Sequence, residues 1–186
     1  MRLNPSQRGD WLSPAEMARL GSPLDLINED HYRLRHICAV LDRLSGKPSR
    51  EPVDLEQTRG FLRMELKAHI ADEEEDLFPM LRKRCAVEDQ VDVTLDRLSK
   101  DHAMHLEGAK SCLAILDRLE TQQPELSSDD QAVLQRFADK KRRHLILENA
   151  ILLPLARARL VTTDLRQMLE HMLDRRGLPA GGYHAG

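Results

Sequence analysis

The chain has 186 residues, of which 41% are hydrophobic and 32% are charged, so it is long enough and apolar enough to fold as one domain. Its net charge of −3 and its 3% of aromatic residues argue against a nucleic-acid partner, which would favour a basic surface and stacking rings. No apolar run approaches the roughly 18 residues needed to span a bilayer, so no membrane segment is predicted.

Capping residues and helix breakers divide the chain into six predicted helices. A capping box at residues 13–16 begins a short helix within an N-terminal arm over residues 1–22. Four long helices follow, over residues 22–44, 54–84, 88–120 and 128–160. A short C-terminal helix is predicted within residues 161–177, and residues 178–186 are expected to be a disordered tail.

The second and fourth long helices carry the same motif, H-x3-E-x5-P. Its two copies are His69, Glu73 and Pro79, and His144, Glu148 and Pro154. The first and third long helices also match, since each carries an Asp-His pair, at Asp30-His31 and at Asp101-His102. The repeat indicates two similar helical hairpins. The predicted fold class is all-α: an antiparallel up-down four-helix bundle over residues 23–160, with short extra N- and C-terminal helices.

Apolar residues at helical spacing mark the face that each long helix turns inward. Near the middle of every helix this face is interrupted by polar side chains. The interrupting residues are His31, His69, Glu73, His102, His105, Lys141, His144 and Glu148. Beyond them the inward face is predicted to continue through Met80 in the second helix and through Ile151 and Leu155 in the fourth.

Two interpretations account for buried carboxylates and imidazoles at one level of a bundle. Without partners their burial would be costly, so they form either a hydrogen-bonded Glu–His network or a metal site. A His-x3-Glu pair places both side chains on one helix face, one turn apart. The imidazole can therefore bind one metal while the carboxylate bridges two, in a site of nitrogen and oxygen donors that suits Fe, Mn or Zn.

These motifs resemble the hemerythrin-like (HHE cation-binding) family over roughly residues 23–160. The paired H-x3-E-x5-P motifs, with their Leu-Phe-Pro and Leu-Leu-Pro endings, carry the resemblance. It implies two Fe ions in a non-haem di-iron centre, with an oxo or hydroxo group completing the bridge. One iron would be bound by His31 and His69, the other by His102 and His144, and the bridging carboxylates would be Glu73 and Glu148.

The third helix departs from the oxygen-carrying members of that family. Those carry two histidines four residues apart on this helix, whereas His105 follows His102 by three. Since His105 also faces inward, it is a candidate fifth histidine ligand. The fourth-helix carboxylate is Glu148 at i+4, where the carriers have Asp at i+5. The match is closer to the diverse bacterial branch, which is linked to oxygen or nitric-oxide sensing, iron handling and stress protection.

The sequence therefore predicts a non-haem di-iron protein that binds or senses a small diatomic ligand, oxygen or nitric oxide, or handles iron. The alternative is a di-iron oxidoreductase acting on peroxide or nitric oxide in stress protection, because metals with two histidines each keep open positions. The pattern leaves enzyme and non-enzyme both open. A third hypothesis is a sensor that signals to a separate partner protein through the short terminal helices.

Several other features bear on location and on the site. The first eleven residues lack an apolar signal-peptide region, and the three cysteines form no CxxC pair, so a cytoplasmic location is predicted. Glu74, in the acidic run at residues 72–76, is either a terminal metal ligand beside Glu73 or part of a solvated acidic face, and the solvated face is the favoured interpretation. Lys141 has two interpretations, since it can extend towards solvent or place a positive charge near the site.

Overall fold

The structure is a computed structural model that describes residues 21–46, 52–122 and 125–178. The predicted N-terminal helix within residues 1–22 and the predicted tail over 178–186 lie outside the described residues, except at their inner ends. The described residues form five long or medium helices and no strand, which confirms the all-α prediction. The helices are α1 (Pro23–Gly46), α2 (52–84), α3 (Val91–Gln122), α4 (128–159) and α5 (Thr162–Arg175).

Local side-chain and backbone features determine where α3 and α4 begin. At the start of α4, Ser127 Oγ accepts a hydrogen bond from the Asp130 amide (3.1 Å), and Asp130 Oδ2 accepts one from the Ser127 amide (3.2 Å). This is the reciprocal pairing of a capping box. The third helix begins at Val91 rather than at Glu88, because Gln90 has a left-handed backbone (φ 48°) that separates α3 from a short 3-10 turn before it.

Both helices that carry the repeated motif widen into π-helical turns at its glutamate. The segment Asp72–Leu77 of α2 and the segment Glu148–Leu152 of α4 are π-helical, and Pro79 and Pro154 follow directly in the next α-helical turn. Proline donates no backbone hydrogen bond and crowds the preceding turn, so a wider turn before it keeps the helix continuous. π turns also occur frequently at functional sites.

The extra residue in each π turn shifts the inward face by one position. The prediction that Ile151 is buried is wrong, since it is 45% exposed, and Leu155 and Met80 are only half-buried. In both helices the residues at four, five and eight positions after the glutamate are buried instead. They are Leu77, Phe78 and Leu81 in α2, and Leu152, Leu153 and Ala156 in α4.

A polar layer divides the hydrophobic interior into two clusters. The first cluster, on one side of the layer, includes Leu34, Leu41, Leu66, Leu116 and Leu134. The second cluster, on the other side of the layer, includes Ile27, Leu77, Leu95, Leu152 and Met168. Since Met168 belongs to α5, the fifth helix completes the second cluster. The layer between them is where the candidate ligands meet.

Candidate metal centre

Four histidines and two glutamates, drawn from all four long helices, form two groups of buried donor atoms. Within each group these atoms lie within 4.8 Å of one another. One group is His31, His69, Glu73 and Glu148, and the other is Glu73, His102, His144 and Glu148. Both carboxylates belong to both groups. A pair of bridging ligands between two cations requires this arrangement.

Each of the four histidines turns Nε2 towards a shared carboxylate. The nearest Nε2–oxygen distances are 3.3 Å for His31–Glu148, 3.6 Å for His69–Glu73, 3.1 Å for His102–Glu73 and 2.6 Å for His144–Glu148. The Nε2 atoms of His102 and His144 are 3.0 Å apart. Six side chains therefore converge on one small volume through atoms that carry lone pairs.

The opposite ring nitrogen, Nδ1, of each histidine has a polar group behind it. The distances from Nδ1 are 2.9 Å to Asn149 Nδ2 for His31, 3.7 Å to Asp30 Oδ2 for His69, 2.6 Å to Glu74 Oε1 for His102, and 3.6 Å to Asp101 Oδ2 for His144. Carboxylate partners such as Glu74 fix the orientation of a metal-binding imidazole and raise its basicity, whereas the Asn149 amide nitrogen can only orient the His31 ring. The site thus has an outer shell as well as an inner one.

In each hairpin, the aspartate of the Asp-His pair on the first helix lies next to the candidate ligand histidine of the second helix. Asp30 precedes His31 in the chain but stands behind His69, and Asp101 precedes His102 but stands behind His144. The sequence repeat indicated only that the two hairpins are similar. In the structure, the aspartate of each pair lies behind the histidine of the following helix.

Two outer partners were missed by the sequence analysis, and each directly follows a shared glutamate. Glu74 is half-buried and binds Ser99 Oγ at 2.8 Å as well as His102, so the prediction of a solvated Glu74 is wrong. Asn149 occupies the equivalent place behind His31. The signal available in the sequence was their shared position, one residue after the repeated glutamate.

Many of the converging atoms have no hydrogen-bond partner within the described part of the chain. These atoms include all four carboxylate oxygens of Glu73 and Glu148, Nε2 of His31, and both ring nitrogens of His69. Buried polar atoms are rarely left unpaired, and unpaired acceptors that point at each other repel. The residues therefore fit a pair of cations, and the imidazole and carboxylate donors fit Fe, Mn or Zn.

Protons in the metal-free site reside on imidazole rather than on carboxyl groups. Burial raises the pKa of Glu73 and Glu148, but the neighbouring histidines outweigh it and hold both pKa values below their usual range. Burial lowers the pKa of His102, but the nearby carboxylates of Glu148, Glu73 and Glu74 raise it to about 10. In the metal-free protein the His102 ring is therefore an imidazolium ion close to these carboxylates.

We expect metal loading to release this proton at neutral and mildly alkaline pH. Below about pH 10 the His102 ring of the empty protein is protonated, and a metal must displace the proton. Apparent metal affinity should therefore rise with pH, by about tenfold per unit for each proton displaced, and level off above pH 10. Calorimetry with Zn²⁺ at pH 8, in buffers of different ionisation enthalpy, counts the protons released.

The matched variant for this measurement is Glu74→Gln. It removes a carboxylate that raises the His102 pKa, so the fraction of His102 protonated at pH 9, and the proton release there, should fall. Zinc binding without proton release at pH 8 in the unaltered protein would contradict the prediction.

His105 lies beside the two groups and contributes no atom to either. Its buried ring is perpendicular to that of His144, with centroids 4.6 Å apart, and its Nδ1 has no hydrogen-bond partner. Burial, together with the charges of Lys141, His144 and His102, lowers the pKa of His105 to about 2. The ring is therefore neutral, and its role as a fifth ligand stays a prediction.

Lys141 does not extend to solvent. Its side chain is fully buried, and Nζ has no hydrogen-bond partner among the described residues. Its charge contributes to lowering the pKa of His105 and His144 and opposes the raised pKa of His69. Because these histidines lie on α3, α4 and α2, the ammonium group is inside the bundle, near the donor groups.

The acidic run before and after Glu73 is covered by α5. Asp72 and Asp76 are buried, which contradicts the prediction of a solvated face. Arg175 Nη1 binds Asp72 Oδ1 (2.9 Å) and Asp76 Oδ2 (2.6 Å), and Arg176 Nη2 binds Asp72 Oδ2 (2.8 Å). The fifth helix therefore supplies the positive charge that compensates the carboxylates of α2.

Comparison with known proteins agrees with this geometry. A family model described as the hemerythrin HHE cation binding domain matches residues 22–156. Comparison with curated proteins gives no match.

None of the helices that the structure describes is long and apolar enough to cross a membrane.

Proposed function

The chain belongs to the hemerythrin HHE cation-binding domain family, and we propose that it is a non-haem di-iron protein that binds or senses oxygen or nitric oxide, or handles iron. The observation that carries the proposal is the sharing of Glu73 and Glu148 by both donor groups. A single cation bound by one group would leave the two histidines of the other group without a metal. Two cations would use all four histidines and both glutamates.

The proposed ligands divide between the two ions by position. His31 and His69 would hold one ion, His102 and His144 the other, and the shared glutamates would bridge them. Iron in such a site supplies redox chemistry and open positions for a small ligand. The protein supplies the geometry, because Asn149 and Glu74 hold the rings of His31 and His102 from behind.

Metal analysis of protein purified from iron-replete cells tests this proposal. About two iron atoms per chain are expected, as in two-metal sites. The double variant Glu73→Ala/Glu148→Ala should contain none, because both bridges are lost. A matched control, Glu75→Ala/Glu107→Ala, removes two exposed carboxylates instead and should retain the metal. Full iron retention in the first variant would refute the assignment.

The position of His105 supports a second candidate function, an oxidoreductase acting on peroxide or nitric oxide. Neither donor group includes His105, so each ion would have two histidines and two shared carboxylates. Sites with few protein ligands keep coordination positions open for a substrate. Consumption of hydrogen peroxide or nitric oxide by the iron-loaded protein, measured against the Glu73→Ala/Glu148→Ala variant, tests this activity. Equal consumption by both proteins would exclude it.

We also propose a cytoplasmic location and no nucleic-acid partner, on the grounds of cysteine usage and net charge. A signalling role through a separate protein would use the C-terminal helix. The support for that role is the contact of α5 with the acidic run beside Glu73.

A further inference from the structure

The two hairpins differ one helical turn beyond the candidate ligands. On the first hairpin, the residues three positions from His31 and His69, on the side of the first hydrophobic cluster, are Leu34 and Leu66. The equivalent residues of the second hairpin, three positions from His102 and His144, are His105 and Lys141. All four side chains are buried. The repeat thus places a polar pair where its other copy places two leucines.

The polar pair has unused hydrogen-bonding capacity. Lys141 Nζ and His105 Nδ1 both lack partners among the described residues. A buried amine is costly to leave without an acceptor, and leucine at the same place in the first hairpin shows that the fold accepts an apolar residue there. Among the residues that the structure describes, Lys141 therefore has no hydrogen-bonding role.

A cavity leads from the surface to one member of the pair, His105, while Lys141 is fully buried and outside the lining of the cavity. It has a volume of about 150 Å³, lies between α3 and α4, and is lined by His105, Gly108, Phe137 and the exposed Met104 and Lys140. Gly108 is needed at its wall, since a Cβ atom there would lie 2.9 Å from the Phe137 ring. The volume is sufficient for a molecule of a few atoms.

We propose that Lys141 and His105 form a binding position for a small inorganic anion at the His102–His144 end of the metal centre. The proposal rests on the proposed function, because the anion would lie beside the bound metal. The amine of Lys141 offers several N–H donors, and the imidazole of His105 offers at least one more. These donors select a ligand with acceptor atoms and negative charge over a neutral diatomic molecule.

The test compares azide, an anionic probe, with nitric oxide, a neutral one, on iron-loaded protein. The main variant is Lys141→Leu, which copies Leu66 of the other hairpin. Its azide dissociation constant, followed by optical titration, should rise about tenfold or more, as for the loss of a charge-assisted hydrogen bond. Its affinity for nitric oxide should change by less than about threefold. His105→Leu, which copies Leu34, should weaken azide in the same direction.

Two controls separate this position from other effects. Lys140→Leu removes the same charge from the exposed wall of the cavity and should leave azide affinity nearly unchanged. Lys141→Met keeps the unbranched side chain and replaces the leucine variant if that variant folds poorly. Iron content is measured in every sample. Absence of iron from the unaltered protein would refute the proposed function, whereas weakened azide binding at full iron content reports on the anion position alone.

Three results would overturn the anion position. The first is azide affinity in metal-replete Lys141→Leu equal to that of the unaltered protein, and the second is no azide binding to the unaltered protein. The third is equal weakening of azide and nitric oxide, which would show a structural role for Lys141. Loss of one iron in His105→Leu would make His105 a metal ligand and remove it from the anion position.

Discussion

Iron loading should raise the melting temperature of this protein by about 8–16 °C. A ligand that binds only the folded state stabilises it by about 4 kcal/mol at a free concentration of 1,000 times its dissociation constant. For a chain of this size each kcal/mol corresponds to about 2–4 °C. The physical reason is the polar layer, where the buried carboxylates of Glu73 and Glu148 lie close to each other and a bound cation would compensate their charges.

Melting curves of iron-loaded and chelator-treated protein at neutral pH measure this difference. The variant Glu73→Gln/Glu148→Gln is the control, because it keeps the side-chain volumes but removes both bridging charges. Its curve should not respond to iron. If the unaltered protein, with iron confirmed bound, melts at the same temperature as the chelated form, the donors are already satisfied without metal and the hydrogen-bonded network is the correct interpretation.

The replacement Arg176→Met should lower the free energy of unfolding by about 3–5 kcal/mol, as when one partner of a buried ion pair is removed. Arg176 is 10% exposed, and its guanidinium lies 2.8 Å from Asp72, 3.5 Å from Asp30 and 3.9 Å from Glu65. Without it, three carboxylates on α1 and α2 lose a shared counter-charge. Denaturant unfolding of the metal-free protein measures the loss.

The effect of this replacement should depend on pH. Burial raises the pKa of Asp72 to about 6 even with Arg176 present, and losing the guanidinium would raise it further. A carboxyl whose folded pKa exceeds its unfolded pKa destabilises the fold most when it must be ionised, so the loss should be larger at pH 8 than at pH 5.

Arg166→Met, on the exposed side of the same helix, should change stability by no more than about 0.5 kcal/mol. A loss at pH 8 as small as that of this control would show that α5 is not needed to compensate the acidic run.

The sequence was sufficient to predict the helices and the convergence of the six candidate ligands, because apolar spacing and a repeated motif report those features directly. It was insufficient beyond Glu73 and Glu148. Helical spacing assumes 3.6 residues per turn, so it placed Ile151 inside, whereas the π turn turns that residue outward. The proline of the motif was the sequence signal for this change, because a π turn precedes it in both helices.

The burial of Glu74, Asp72 and Lys141 depends on contacts between helices that the sequence pattern does not report. Glu74 and Asp72 belong to a run that resembles a solvated face, and only the packing of α5 and the position of His102 show that they are engaged. For Lys141 the sequence left two interpretations open, because solvent access at a stripe position depends on neighbouring helices. Its full burial excludes extension to solvent.

The division of the interior into two hydrophobic clusters has a consequence for the cooperativity of unfolding. The polar layer separates the two clusters, and its ring contacts, His102 with Phe78 and His105 with Phe137, are each made to one cluster only. In the metal-free protein the halves are therefore linked mainly by the continuity of the four helices, and the half that includes α5 can exchange its amide hydrogens at a different rate from the other. Bound ions, held by all four helices at once, would make the two halves a single cooperative unit.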